Sequence, residues 1–253
     1  MIAQPYLGFC ESLWSDWLND ALDVPAPFLR DFAPEPYLQF DEGTKPLYVL
    51  FTNPGGGLPC QSRREIKRGG SCISPTMSYQ EASLAFAASY RNGGIPHSAH
   101  TRIEAVDHLR DLCGADCIVQ FESLPFHSPE LQRKHLIPEL VKSTDRLRAY
   151  VAHLANTLKG LSVVGLSAVG SSLSISASTV ADSPWLSWQA SALLGIDPRT
   201  LRPTTLAEKG DKVTSAFLYQ RVGDCTRGIV LTMGGNNFPR RDRLNEVAQT
   251  LLS

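Results

Sequence analysis

Three short stretches of the sequence gather side chains that can hold, polarise and protonate a substrate. Asn53, Pro54, Gly55 and Gly56 fall in FTNPGGG (51–57), Glu122, Phe126, His127 and Ser128 in QFESLPFHSP (120–129), and Asn236, Asn237 and Phe238 in LTMGGNNFPRR (231–241). An amide such as Asn53 can hold a water but is a poor base. An ionised Glu122 close to it could accept the proton or offset positive charge developing on a substrate. His127 could donate a proton, stabilise an anion or bind a phosphate. Gly55 and Gly56 offer backbone donors that no side chain obstructs. Phe126, Ser128, Asn236 and Asn237 complete the expected substrate contacts.

These stretches follow apolar runs, and the runs supply the elements that must position them. LYVLF (47–51), CIVQF (117–121), LSVVGL (161–166) and RGIVLTM (227–233) read as four buried strands. Helical spacing predicts helices over 9–21, 78–94, 101–112, 138–159 and 185–195, with a last one in RRDRLNEVAQTLLS (240–253). The small polar stretch AVGSSLSISASTV (168–180) reads as a mobile loop. Strands alternating with helices predict an α/β fold: a three-layer αβα sandwich around a central four-stranded, mainly parallel sheet. Residues 1–253 are expected to form a single domain, with 1–44 as a helical and Pro-rich extension packed on it. Ligands in such sheets sit beyond the carboxyl ends of the strands, where all the stretches above lie.

Composition excludes several classes. No apolar run approaches the roughly 18 residues needed to cross a bilayer. The N-terminus MIAQPYLGFCESLW has no basic region followed by an apolar stretch, so a cytoplasmic protein is expected. Six scattered cysteines then read as reduced thiols. The spacings Cys113/Cys117 and His97/His100 lack the paired pattern of a zinc site, so neither a metal nor a cofactor is expected. A net charge of −1 gives no overall attraction to nucleic acid. Positive charge is nevertheless concentrated in SRREIKRGG (62–70) and PRRDRL (239–244). There Arg63, Arg64, Lys67, Arg68, Arg240, Arg241 and Arg243 could grip a phosphate backbone.

In its order of parts, the chain resembles the uracil-DNA glycosylase superfamily. The resemblance rests on FTNPGGG, QFESLPFHSP and LTMGGNNFPRR and spans about residues 45–252, with letter identity confined to the Asn-Pro-Gly step. It implies that the first of these loops positions the attacking water, the second reads the base, and the last contacts DNA. Gly234 to Pro239 stand where that family usually has His-Pro-Ser, so the histidine that stabilises the departing base has no assigned counterpart. N-glycosidic hydrolysis needs a positioned water and donors aimed at the base. Extrusion of the base needs a wedge and a backbone grip, which Phe238 and the arginines after it could provide.

Strict uracil enzymes of that family carry an aromatic wall in the first loop. Gly55, Gly56 and Gly57 supply none, which implies room for a damaged or hypermodified pyrimidine, the latter in antiviral defence. The expected activity is that of a monofunctional, monomeric DNA glycosylase. The alternative is a non-catalytic DNA- or nucleotide-binding module on the same fold. GLSAVGSS (165–172) fails the Gly-x-Ser-x-Gly spacing of a serine hydrolase, and FTNPGGG lacks the Lys-Ser/Thr of a P-loop.

Overall fold

The computed structural model describes residues 2–51, 54, 55, 57–92, 97–128, 137–159, 161, 163–167, 187–200, 202–209, 212–219, 229–233, 244, 245, 248 and 249. The protein is a mixed α/β structure built on one seven-stranded sheet. Its strands are β1 (Tyr37–Phe40), β2 (Pro46–Phe51), β3 (Cys117–Glu122), β4 (Val163–Ser167), β5 (Arg202–Lys209), β6 (Lys212–Tyr219) and β7 (Ile229–Met233). In space they run β1-β3-β2-β4-β7-β6-β5.

The four apolar runs form the adjacent strands β3, β2, β4 and β7, and each neighbouring pair is parallel. The sheet is wider than the four strands expected. β1 adds an antiparallel edge on β3, and the β5–β6 hairpin joins β7 antiparallel on the other side. β2 leads to β3 on one side, and the chain then returns to β4 on the other. The carboxyl ends of β2 and β4 therefore flank a switch point, where open α/β sheets bind ligands. Phe51 pairs with Glu122, so β2 and β3 end level and release their loops together.

Helix α1 (Gln4–Leu18) buries Tyr6, Cys10, Leu13, Trp14 and Trp17, a single stripe at helical spacing. Its Tyr6 ring meets Phe121 edge-on at 5.8 Å. A six-residue helix, α2 (Arg63–Arg68), follows a 3-10 turn at Pro59–Gln61 in what reads from sequence as loop. Ser62 caps it and Gly69, at φ 71°, ends it in a left-handed conformation. Helix α3 (Tyr79–Arg91) opens with a capping box: the Ser78 side chain accepts from the Glu81 amide at 3.3 Å, and the Ser78 amide donates to Glu81 Oε2 at 2.8 Å.

Helix α4 covers His97–Leu112, and its Ile103 and Val106 share a small cavity with Phe40, Phe51 and Ile118 of the sheet. The helix expected over 138–159 is instead two, α5 (Ile137–Lys142) and α6 (Asp145–Leu158). Thr144 causes the break: its backbone is extended, and its hydroxyl accepts from the Leu147 amide at 3.1 Å, capping α6. Of the segment 185–195, residues Gln189–Leu193 form a π-helical turn. The stretch 168–180 and most of the expected last helix lie outside the described residues.

Candidate functional site

The loops after β2 and β3 are tied together at the carboxyl edge of the sheet. The Ser123 amide and hydroxyl both donate to the Phe51 carbonyl, at 2.9 and 2.6 Å. Further along, the Ser128 amide donates to the Pro54 carbonyl at 3.3 Å. Of the expected contacts, Glu122, Phe126, His127, Ser128, Pro54 and Gly55 therefore meet in one region. Asn53, Gly56, Asn236, Asn237, Phe238, Arg240, Arg241 and Arg243 lie outside the described residues.

Glu122 ends β3 and is 2% exposed. Its Oε1 accepts from Gln120 Nε2 at 2.7 Å, and its amide donates to the Pro36 carbonyl at 3.1 Å. The Tyr150 hydroxyl, from α6, donates to the Glu122 and Pro36 carbonyls. Burial pushes that hydroxyl's pKa well above its ordinary value, with Cys10 adding to the shift, so it remains a donor.

His127 is fully buried, and neither ring nitrogen has a hydrogen-bond partner among the described residues. Its Nε2 stands 3.5 Å from Oε1 of Glu35, itself 1% exposed. Gln61 Nε2 donates to the same carboxylate oxygen. The Tyr90 hydroxyl donates to both carboxylate oxygens, at 3.2 and 3.3 Å. Gln61 Oε1 accepts from the Leu58 amide at 2.6 Å, which turns the Gln61 NH2 toward Glu35. Burial, reinforced by the Glu35 charge, raises the Tyr90 pKa well above its ordinary value.

Backbone bonds from the Pro-rich N-terminal segment hold this cluster. The Leu29 amide donates to the His127 carbonyl at 2.8 Å, Glu35 to Pro125 at 2.7 Å, and Ala33 to Gln61 at 3.0 Å. The Phe32 ring lies 5.7 Å from the His127 ring. Glu35, Gln61 and Tyr90 do not belong to the site expected from sequence. Glu35 stands between two prolines in APEPY, and no spacing in the sequence connects it to residues 122–128. Gln189 in the π-helical turn donates from Nε2 to Ser123 Oγ at 2.8 Å. Gln189 is fully buried, and its Oε1 has no partner among the described residues. π-turns of this kind are frequent at functional sites.

Gly55 and Gly57, the two described glycines of the first loop, have different causes. Gly57 is left-handed, at φ 76°, and a Cβ there would fall 2.3 Å from the Phe32 ring. Gly55 faces open space, with nothing within 4 Å of an added Cβ. The expected wall-less loop is therefore approached by an aromatic ring from the N-terminal segment, one that sequence spacing does not connect to it.

The basic residues of α2 also divide. Arg64, Lys67 and Arg68 are exposed. Arg63 is committed elsewhere: it pairs with Asp20, its guanidinium lies 4.9 Å over the Trp17 ring, and only 12% of its side chain is exposed. Among the described residues no group of three or more His, Cys, Asp or Glu side chains could hold a metal ion, and no helix is long and apolar enough to cross a membrane. Compared with known proteins, the chain matches no family model, no curated protein and no solved structure.

Proposed function

We propose that this chain is a monofunctional DNA N-glycosylase, folded as a three-layer αβα sandwich of the uracil-DNA glycosylase type. It removes a flipped-out, damaged or modified pyrimidine and leaves an abasic site. The observation that carries the reading is the junction at the carboxyl edge of β2 and β3. There two buried ionisable side chains, Glu122 at the end of β3 and His127 in the loop after it, are joined by the Ser128–Pro54 bond to the segment that follows β2, whose sequence carries Asn53. Buried carboxylates and imidazoles are costly unless structure or chemistry requires them, and a carboxyl-edge site beside a switch point is where an α/β sheet places chemistry.

In this reading Asn53 positions the attacking water, Glu122 offsets the positive charge that builds on the sugar, and His127 handles a proton or the leaving base. Open space at Gly55 supports a substrate bulkier than uracil. DNA is gripped by Arg64, Lys67 and Arg68 of α2, and by the cluster 239–244. The protein acts as a monomer and needs no cofactor.

The test is direct. The protein is incubated with DNAs carrying uracil, mismatched thymine, oxidised pyrimidines or hypermodified cytosines, and abasic sites are counted beside an Asn53→Ala control. Abasic sites from one substrate, lost in the control, establish the activity and name the base. Tight binding without abasic sites on any substrate would replace it with a DNA-binding module.

A further inference from the structure

His127 presents an unusual arrangement for a buried imidazole. A fully buried ring normally satisfies both nitrogens. Here Nδ1 has no partner among the described residues, and Nε2 faces a single carboxylate oxygen 3.5 Å away. That carboxylate is not free to turn. Glu35 is held by its own amide bond to Pro125, by Gln61 Nε2 and by the Tyr90 hydroxyl, and every one of these side-chain partners is a donor. A carboxylate surrounded by donors acts as an acceptor, so the Nε2 that faces it is the nitrogen that carries the proton. The lone pair then resides on Nδ1. The 3.5 Å separation is long for a hydrogen bond, as such contacts commonly are before a ligand closes them.

From this geometry we propose that Glu35 is a positioning residue. It fixes His127 as the Nε2–H imidazole, whose Nδ1 takes the proton of the attacking water. The inference rests on the hydrolytic reading above and deepens it by assigning the general base to the second loop. The step balances: a water O–H bond breaks and its proton goes to Nδ1, while the oxygen bonds to the sugar carbon. The electron pair of the glycosidic bond leaves with the base, which is protonated from solvent. Glu35 orients and stabilises the imidazolium formed and touches no reacting atom. Gln61 and Tyr90 keep Glu35 in place, as outer partners commonly do for an orienting carboxylate.

Glu35→Gln and Glu35→Leu test the proposal, the first by removing the charge at constant volume and the second by removing the acceptor. Gln61 Nε2 and His127 Nε2 both face Oε1, so the new amide presents its oxygen there and keeps the proton on Nε2 without a charge to stabilise the imidazolium, whereas Glu35→Leu leaves Nε2 facing no acceptor. Long-range proton–nitrogen spectra of the nitrogen-15-labelled full chain, at about pH 8.5 and so above the ordinary histidine range, read this directly. His127 is assigned by its loss in His127→Gln. The wild type, Glu35→Asp and Glu35→Gln should carry the proton on Nε2, and Glu35→Leu should lose that preference. In the abasic-site assay Glu35→Gln should lower kcat by about 100-fold or more with KM unchanged, and Glu35→Asp should recover most of the loss.

A wild-type proton on Nδ1, or a Glu35→Gln variant with wild-type kcat, overturns the proposal and leaves the glycosylase reading standing. Finding the predicted tautomers without base release by any chain, wild type included, sinks the glycosylase reading. It also removes the water step, while the positioning of His127 by Glu35 holds. Thermal melting accompanies each variant, and Glu35→Asp secures the kinetic comparison should Glu35→Gln unfold.

Discussion

The Ser128 amide donates to the Pro54 carbonyl at 3.3 Å, and together with the Ser123–Phe51 bonds this contact ties the loop after β2 to the loop after β3. Everything assigned to the site depends on these loops staying in register, because Pro54 follows Asn53 and Ser128 follows His127.

If His127 handles the proton, its removal should cost catalysis and leave binding. His127→Gln is expected to lower base release by about 100- to 10,000-fold, the usual worth of a positioned acid or base. DNA affinity, measured by fluorescence anisotropy, should be unchanged. Loss of affinity in step with activity would assign His127 to substrate binding instead.

The α2 cations should separate into two groups. Arg64→Glu, Lys67→Glu and Arg68→Glu should weaken DNA binding and flatten its salt dependence by about one unit of slope for each phosphate left without its cation. Arg63→Ala should act on stability, since it breaks the Asp20 pair and uncovers Trp17. Its salt dependence should match that of the wild type. A flatter slope for Arg63→Ala would show that the arginine leaves Asp20 to meet DNA.

Tyr150→Phe removes the hydroxyl that serves the Pro36 and Glu122 carbonyls. Two buried acceptors then lose a donor, and the expected destabilisation is about 1–3 kcal/mol. It would be read from the urea midpoint at constant slope. A shift within error would mean that other donors replace the phenol.

Gly57→Ala should destabilise through both left-handed strain and the clash with Phe32. Adding Phe32→Ala removes the clash and leaves the strain of roughly 1–2 kcal/mol. The two substitutions should therefore be less than additive in a double-mutant cycle. Additive costs would place the clash elsewhere.

Asp116 governs part of the acid limb. The Thr44 and Lys45 amides donate to its carboxylate and lower its pKa from 3.8 to about 2. A depressed carboxylate contributes stability that is present above the unfolded value and lost as pH falls through the folded one. The wild type should therefore lose this contribution between about pH 4 and 2. Asp116→Asn should show a flatter profile over that window when urea midpoints are compared across pH. An identical profile would remove Asp116 from the account.

The four central strands are legible because each is an apolar run closed by turn residues. The Ser78–Glu81 capping box marks its helix for the same reason, since a local sequence signal and a local structure coincide. Thr144 shows where periodicity misleads: the apolar stripe continues through 138–159 while a capping hydroxyl cuts the helix in two. The β5–β6 hairpin carries β-branched residues on either side of a Gly-Asp step, with Phe217 and Tyr219 on the second strand, and was readable in principle. β1 was not readable, because four residues after a proline-rich stretch make a strand only when β3 lies beside them. Glu35, Gln61 and Tyr90 join the site through tertiary packing alone, and no spacing links them to residues 122–128. The ring that reaches the first loop, Phe32, is likewise a matter of packing and not of pattern.

The lacing of the N-terminal segment onto the β3 loop also sets an order of events in folding. Leu29, Ala33 and Glu35 leave the ribosome early, yet their backbone partners at His127, Gln61 and Pro125 are made later. Such long-range closure is slow, because chain entropy is lost before any interaction rewards it. Hydrogen-exchange pulse labelling should find the amides of Leu29 and Glu35 protected after those of β2 and β3. On that order the polar cluster closes only once β2 and β3 are paired, so a partly folded chain carries no assembled Glu35–His127 pair.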